Sequence, residues 1–463
     1  MDIISILQFY NIVTRICDLL RKSRLFTSPY WPNFLQISKQ IHHNIYFFLK
    51  LWHYFVMEIK RELYLNKIRP YYEVDLIKVL TGVRRSGKSI LLSQIRNEFI
   101  ENGTDSNHII EINFEDLSFE NIKTYKKLNS YILKKIRDDK KYYIFLDEIQ
   151  HVNGFEKVLS SLRATQKCSI FITGSNSKLL SGKMASLLVG RCIEFRILPF
   201  SFKEAFDYLT LLGKNPNPDA LIIDYVSWGG FPLRFSFDQE NEIKNYLEQT
   251  YMGIIDKDII TEKSTINREK FLRFASYIMA NAGKEFSGKN IENYFKTKNN
   301  EVFEKKMLYR YLDKMEKACL INRVKRFNIT GKRILSYGEK QYAVDSGFRM
   351  INTNLVNFED TFFLENIIYN ELILRGYQFF TGKTYKSEID FVAINGKQKC
   401  FIQVAYYLHS KETIEREFSA FDPIADSSPK YVLSLDRFDY SRNGIGHINI
   451  VDFLLGKKDI TLL

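Results

Sequence analysis

Leu76-Ile77-Lys78-Val79-Leu80-Thr81-Gly82-Val83-Arg84-Arg85-Ser86-Gly87-Lys88-Ser89 is the stretch on which the fold turns. A run with strand character enters a loop bounded by glycines, and a helix-patterned segment leaves it from Ile90 to Glu98. Glycines let backbone N–H groups curl around an anion, and the first turn of the following helix adds free N–H groups and a positive dipole end. In such a loop Lys88 reaches the β- and γ-phosphates of a nucleotide and the Ser89 hydroxyl holds Mg²⁺. Gly82, Arg84, Arg85, Ser86, Gly87, Lys88, Ser89 and Ile90 are therefore the candidate nucleotide contacts. Gly283-Lys284-Glu285-Phe286-Ser287-Gly288-Lys289-Asn290 repeats the two glycines and the lysine. There Asn290 replaces the hydroxyl and no strand precedes the loop, so it reads as a chance match.

Working outward, residues 57 to about 200 alternate strand and helix. His108–Phe114, Tyr142–Leu146 and Cys168–Thr173 are strand-like; Tyr125–Asp138 and Phe155–Leu162 are helical. Near-continuous apolar strands separated by helices predict a parallel sheet covered on both faces. The strand from Tyr142 ends in Asp147-Glu148, which places Asp147 to hold Mg²⁺ and Glu148 to polarise an attacking water. The strand from Cys168 ends in Thr173-Gly174-Ser175-Asn176, a polar turn in which Asn176 is a candidate γ-phosphate sensor; a plain helix cap is the other reading of that turn. Arg191 follows in Gly190-Arg191, and its fixed planar charge suits a finger that reaches a neighbouring subunit's γ-phosphate if copies form a ring.

Ser201-Phe202-Lys203-Glu204 reads as a capping box that opens a helical lid over residues 201–265. Trp228-Gly229-Gly230-Phe231-Pro232 interrupts the lid, with Arg234 a further candidate over the nucleotide. Three helices and a hairpin fit residues 266–347. Lys305, Lys306, Arg310, Lys314 and Lys317 lie opposite the apolar face of the third helix, and Arg323, Lys325, Arg326, Lys332 and Arg333 lie on the hairpin. Helix, turn, basic helix and basic wing predict a winged helix, which meets DNA or docks a protein. Residues 348–463 alternate strand and helix again.

The net charge of +13 fits that picture. Residues 284–340 carry 15 Lys/Arg against 7 Asp/Glu, a surplus of 8, and residues 1–56 carry 6 against 2, a surplus of 4. Local concentration of charge points to a basic face and a DNA partner. Cys17, Cys168, Cys192, Cys319 and Cys400 are scattered without zinc-site spacing, which fits a reducing cytoplasm. The longest apolar run, Ile45–Met57, is broken by Lys50 and too short for a bilayer, so no membrane association is expected. Residues 1–56 are aromatic and basic without sustained helical period, and two readings stand: Met57 is the true start, or these residues are a dispensable extension.

Taken together, these motifs resemble the prokaryotic P-loop ATPases of the AAA type that carry a nuclease-like carboxyl-terminal domain of unknown function. The resemblance rests on Gly82–Ser89, Leu146-Asp147-Glu148, Thr173-Gly174-Ser175-Asn176, Gly190-Arg191, Leu198-Pro199-Phe200-Ser201-Phe202, Gly229-Gly230-Phe231-Pro232, Leu364-Glu365-Asn366 and Glu388-Ile389-Asp390-Phe391-Val392. It implies an α/β fold: a P-loop NTPase sheet with a helical lid, a winged helix, and a small restriction-nuclease-like domain. It also implies ATP and Mg²⁺ as cofactors, with ATP bound at Gly87, Lys88 and Ser89, Asp147 as the Mg²⁺ carboxylate and Glu148 as the catalytic glutamate; with the residue reading above, the catalytic candidates are Lys88, Glu148 and Arg191 and the metal ligands Ser89 and Asp147. In the nuclease pattern Glu365 and Asp390 match, but Gln403-Val404-Ala405 stands where Glu-x-Lys is expected. Glutamine is a poor Mg²⁺ ligand and alanine cannot act on water, so cleavage is not expected. The expected function is an ATPase that couples its cycle to DNA or a DNA-bound protein. The alternative is a nucleotide-gated switch with little turnover.

Overall fold

A computed structural model describes residues 58–174, 190–260, 265–299, 302–353, 361–396 and 398–460. The expectations for residues 1–56 and for Asn176 fall outside them. Ile77–Thr81 forms β1, every residue of it buried, and Lys88–Glu101 forms α2 after the short α1, Glu62–Ile68. There follow β2 (Ile109–Asn113), α3 (Tyr125–Lys135), β3 (Tyr142–Asp147), α4 (Phe155–Thr165), β4 (Cys168–Thr173) and β5 (Cys192–Arg196). The five strands are all parallel in the order β2-β3-β4-β1-β5.

Both faces of this sheet are covered, which is why its strands are apolar throughout. Ile77 and Val79 of β1 pack with Ile144 of β3 against Leu128 and Ile132 of α3 and Val158 and Leu162 of α4. Leu80 packs with Phe145 and Phe171 against Leu91, Ile95 and Phe99 of α2. Lys78 shares that second face yet is fully buried, its ammonium donating to the carbonyls of Val74 (3.0 Å) and Tyr72 (3.3 Å) and to Ser169 Oγ (2.7 Å). Because the strands are parallel, the carboxyl ends of β1, β3 and β4 meet at one edge of the sheet, the usual place for a ligand.

Three helices follow: α5 (Phe202–Leu211), α6 (Pro218–Trp228) and α7 (Glu240–Ile254). Ser201 and Glu204 form the expected capping box. A π-turn at Ile255–Ile259 extends α7. Then come α8 (Arg268–Ala280), α9 (Gly288–Asn299) and α10 (Lys305–Lys317), followed by the hairpin β6 (Ile321–Asn328) and β7 (Arg333–Ala343). Beyond it lie α11 (Ser346–Ile351), α12 (Thr361–Arg375), β8 (Gln378–Lys383), β9 (Glu388–Asn395), β10 (Gln398–Val404), α13 (Lys411–Ser419), β11 (Lys430–Ser434), β12 (Ile445–Asn449) and α14 (Ile450–Leu454).

The hairpin is not the free wing expected from the sequence. β6 pairs in parallel with β8 through Arg326–Thr381, Phe327–Gly382 and Asn328–Lys383. One seven-stranded sheet, β12-β11-β10-β9-β8-β6-β7, therefore runs across the boundary drawn at residue 347. The physical reason is that an isolated two-stranded ribbon is marginal in water and gains by joining a larger sheet. Phe202, Tyr225, Tyr342, Leu364 and Phe391 share one buried cluster, so the lid helices also pack on this sheet.

Candidate functional site

The loop after β1 has the backbone that its glycines permit. Gly82 sits at φ +137° and Gly87 at +92°, and Arg85 is itself left-handed at +65°. Lys88 is buried, and its ammonium donates to the carbonyl oxygens of Val83 (2.9 Å) and Gly82 (3.1 Å). Burial holds its pKa below the usual lysine value, partly offset by Glu148. Incoming phosphates would supply the negative charge that this desolvated cation lacks. Ser86 is fully buried, whereas Ser89 and Ile90 are exposed at the mouth. Arg84 and Arg85 turn to the lid: Arg84 forms a forked pair with Asp258 (3.0 and 3.2 Å), and Arg85 donates to Thr250 Oγ1 at 2.9 Å. A cavity of about 690 Å³ opens here between Arg84, Arg85, Lys88, Ser89 and Glu148 on one side and Pro232, Leu233, Tyr246, Thr250 and Gly253 on the other. Its size and its donors fit a nucleoside triphosphate.

Asp147 and Glu148 end β3 beside that cavity, and both are buried. Burial raises the Asp147 carboxyl above the usual range, while hydrogen bonds from Thr173 and Ser89 pull it back. Ser89 and Asp147 are thus within reach of one another and can share a cation. Thr173 does more than end β4. Its hydroxyl donates to Asp147 and accepts the backbone N–H of Glu148 at 2.9 Å, which locks Glu148 in its left-handed conformation at φ +53°. The sequence reading named the Thr173 turn for its asparagine and missed this bridge. It also passed over Glu115 and His151, each of which brings a ligand atom within 4.8 Å of the Glu148 carboxylate. Glu115, just beyond the carboxyl end of β2, was findable from its place at the same sheet edge.

Two other candidates stand elsewhere. Arg191 is exposed just before β5, where its carbonyl oxygen accepts the N–H of Ile77. That is the amino edge of the sheet, a strand length of roughly 16 Å from the loop, so Arg191 cannot serve its own nucleotide. Arg234 is a correction. It is buried, bonded to the Gly229 carbonyl (2.6 Å) and paired with Asp224 (2.8 Å), and is not available to a ligand.

The basic segment divides into two kinds of cation. Lys305, Lys306, Arg310, Lys314 and Lys317 are exposed along α10, whose other face buries Leu308, Leu312 and Met315; Lys325, Lys332 and Arg333 are exposed on the hairpin. Arg323 instead pairs with Asp313 and Glu316, and Arg326 is buried against Glu285 and Glu388.

Lys340 is a further residue that the sequence does not mark out. Its ammonium lies 2.9 Å from Glu365, 2.9 Å from Glu388 and 3.9 Å from Asp390. These acids line a second cavity of about 700 Å³. Gln403 accepts the N–H of Asp390 (2.8 Å) and donates to Glu417 (3.1 Å), where a glutamate would repel that neighbour. Burial pushes the carboxyls of Glu365 and Asp390 up. The carboxylates of this pocket close on the Lys340 ammonium, and among the described residues no group of three metal-ligating side chains converges there.

Residues 75–206 match the AAA domain family and residues 219–359 match a domain of unknown function, DUF8612. An uncharacterized protein of Haemophilus influenzae is 32% identical over 406 residues, covering 86% of this chain and 98% of that protein. Uncharacterized protein MJ1544 of Methanocaldococcus jannaschii is 32% identical over 394 residues, covering 81% and 85%. The Aeropyrum pernix ORC1 protein, solved in complex with DNA, aligns at 12% identity over 64% of this chain and 92% of that one, with a TM-score of 0.28, a likeness that carries no weight for function. No helix among the described residues is long and apolar enough to cross a membrane. At 32% identity with near-complete coverage of the bacterial protein, the chain belongs to one family with these two relatives, and its own residues 75–206 carry the AAA-domain match.

Proposed function

We propose that the protein is an ATPase whose nucleotide state is transmitted to the basic helix α10, and through it to DNA or to a protein bound there. The backbone N–H groups of residues 87–89 and the Lys88 ammonium hold the β- and γ-phosphates. Ser89 and Asp147 would hold Mg²⁺, which would supply charge neutralisation at the phosphates. Glu148, fixed by Thr173, orients a water and takes its proton. Arg191 completes a neighbouring copy's site in an assembly.

One observation carries the coupling. Val83, inside the loop, is fully buried in the same cluster as Phe271 of α8 and Leu308, Leu312 and Met315 of α10. A phosphate that shifts the loop therefore acts on a side chain that belongs to the same buried core as the inner face of α10. The test is a calorimetric ATP titration together with steady-state hydrolysis, with and without duplex DNA. Lys88→Ala is expected to abolish ATP binding. Glu148→Gln is expected to keep binding and lose at least about 100-fold in turnover. Tight binding with no turnover in the parent protein would favour a nucleotide-gated switch, and hydrolysis by Glu148→Gln at the parent rate would remove Glu148 from the mechanism.

A further inference from the structure

Arg61 stands before α1, upstream of the residues matched to the AAA domain. It is nevertheless among the most buried side chains of the protein, at 1% exposure. Its guanidinium forks onto Glu204 (2.8 and 2.8 Å), donates to the carbonyls of Leu198 (3.0 Å) and Pro199 (3.2 Å), and donates to the carbonyl of Ser86 at 2.9 Å. Both ends of the contact are anchored. The Arg61 N–H donates to Gln94 on α2 at 3.1 Å, and Glu204 is held by the Ser201 backbone N–H at 2.9 Å.

A loop that binds an anion turns N–H groups toward it, and here the Ser86 carbonyl is turned toward Arg61. Ser86 is fully buried, so water cannot satisfy its carbonyl, and a buried carbonyl needs a donor. The next residue is Gly87, for which both signs of φ are open. The Ser86–Gly87 peptide is therefore the one most able to rotate, and rotation would present an oxygen to the phosphates where the Gly87 N–H belongs. We propose that Arg61 is a positioning residue of the nucleotide site: by holding the Ser86 carbonyl outward it keeps the Gly87 N–H aimed at the phosphates. This rests on the reading of the loop as a phosphate site.

The test uses Arg61→Gln, Arg61→Lys and Glu204→Gln in the full chain. Hydrogen exchange over residues 83–90 is followed without nucleotide, and ATP affinity is measured by calorimetry. Arg61→Gln is expected to speed exchange in that segment while the β3 amides exchange at the parent rate, and to weaken ATP about 10- to 100-fold, the size of effect that follows from leaving the buried Ser86 carbonyl without its donor. Arg61→Lys, which keeps the positive charge facing Glu204 together with its donors, is expected to recover part of both. A folded Arg61→Gln with parent exchange and parent affinity overturns the proposal. If Arg61→Gln does not fold, Glu204→Gln decides: local loosening over 83–90 supports the tether, and uniform loosening overturns it. Faster loop exchange in a chain whose parent form takes up no ATP would sink the nucleotide reading and leave the tether standing.

Discussion

Two residues test how tightly the site is built. A Cβ on Gly82 would lie 2.2 Å from the carbonyl oxygen of Ile197, at a φ that side chains avoid. Gly82→Ala is therefore expected to cost about 2–4 kcal/mol in urea unfolding and to abolish ATP binding; a variant of parent stability would show that the backbone at Gly82 yields more easily than its φ and contacts indicate. Asp345 makes the second test. It is buried and accepts the N–H groups of Gly230 (2.7 Å) and Gly347 (2.9 Å), and burial pushes its carboxyl up to about 6. A raised carboxyl means that the folded state keeps its proton longer than the unfolded chain, which titrates near pH 4. The associated stability is fully present below about pH 4 and is lost as pH rises through about 6, roughly 3 kcal/mol in all. Asp345→Asn is expected to flatten that slope in urea titrations between pH 4 and 7, and an unchanged slope would assign it to another group.

Among the elements, the β6–β7 hairpin and α10 divide the basic charge between structure and surface. Lys340 sits at 4% exposure among carboxylates, so Lys340→Met leaves buried acids unpaired and is expected to cost about 3–5 kcal/mol. Chemical denaturation measures this, and a loss under 1 kcal/mol would mean that the acids neutralise themselves by protonation. Glu replacing Lys306, Arg310 and Lys314 together should leave stability within about 0.5 kcal/mol, because these side chains are exposed, while removing DNA binding in a fluorescence titration. Retained DNA affinity would move the contact to another face. The sequence displayed the amphipathic period of α10 directly, since Leu308, Leu312 and Met315 recur at helical spacing. It did not show where the hairpin's cations go, because Arg326 and Lys340 find their acids on α12, on β9 and, at Glu285, in the turn before α9, at separations of 25 to 62 residues.

At the scale of the whole molecule, the amino-edge position of Arg191 makes it a residue that acts between copies or not at all. Mixing Arg191→Ala with Lys88→Ala should restore part of the turnover that each lacks alone, because a mixed pair contains one site with an intact loop and a neighbour's arginine. No recovery on mixing, with assembly confirmed by light scattering, would remove the finger assignment. The same scale explains why the loop, the lid and the helical segment cannot be treated as beads on a string. Val83 and Cys319 lie in one cluster, Arg84 pairs with Asp258, and Phe202 and Tyr225 of the lid share a core with the second sheet.

The sequence alone determined the parallel α/β core, the phosphate loop and the acidic pair at the end of β3. Each of these is written in neighbouring residues: apolar runs of strand length, glycines at fixed spacing around a lysine, carboxylates closing a strand. Only the tertiary structure decided that Thr173 locks Glu148, that Arg61 holds the Ser86 carbonyl, that Lys340 occupies the acidic pocket and that the hairpin completes a second sheet. Those contacts depend on which elements become neighbours, and local periodicity records which face of an element is buried without recording what it is buried against.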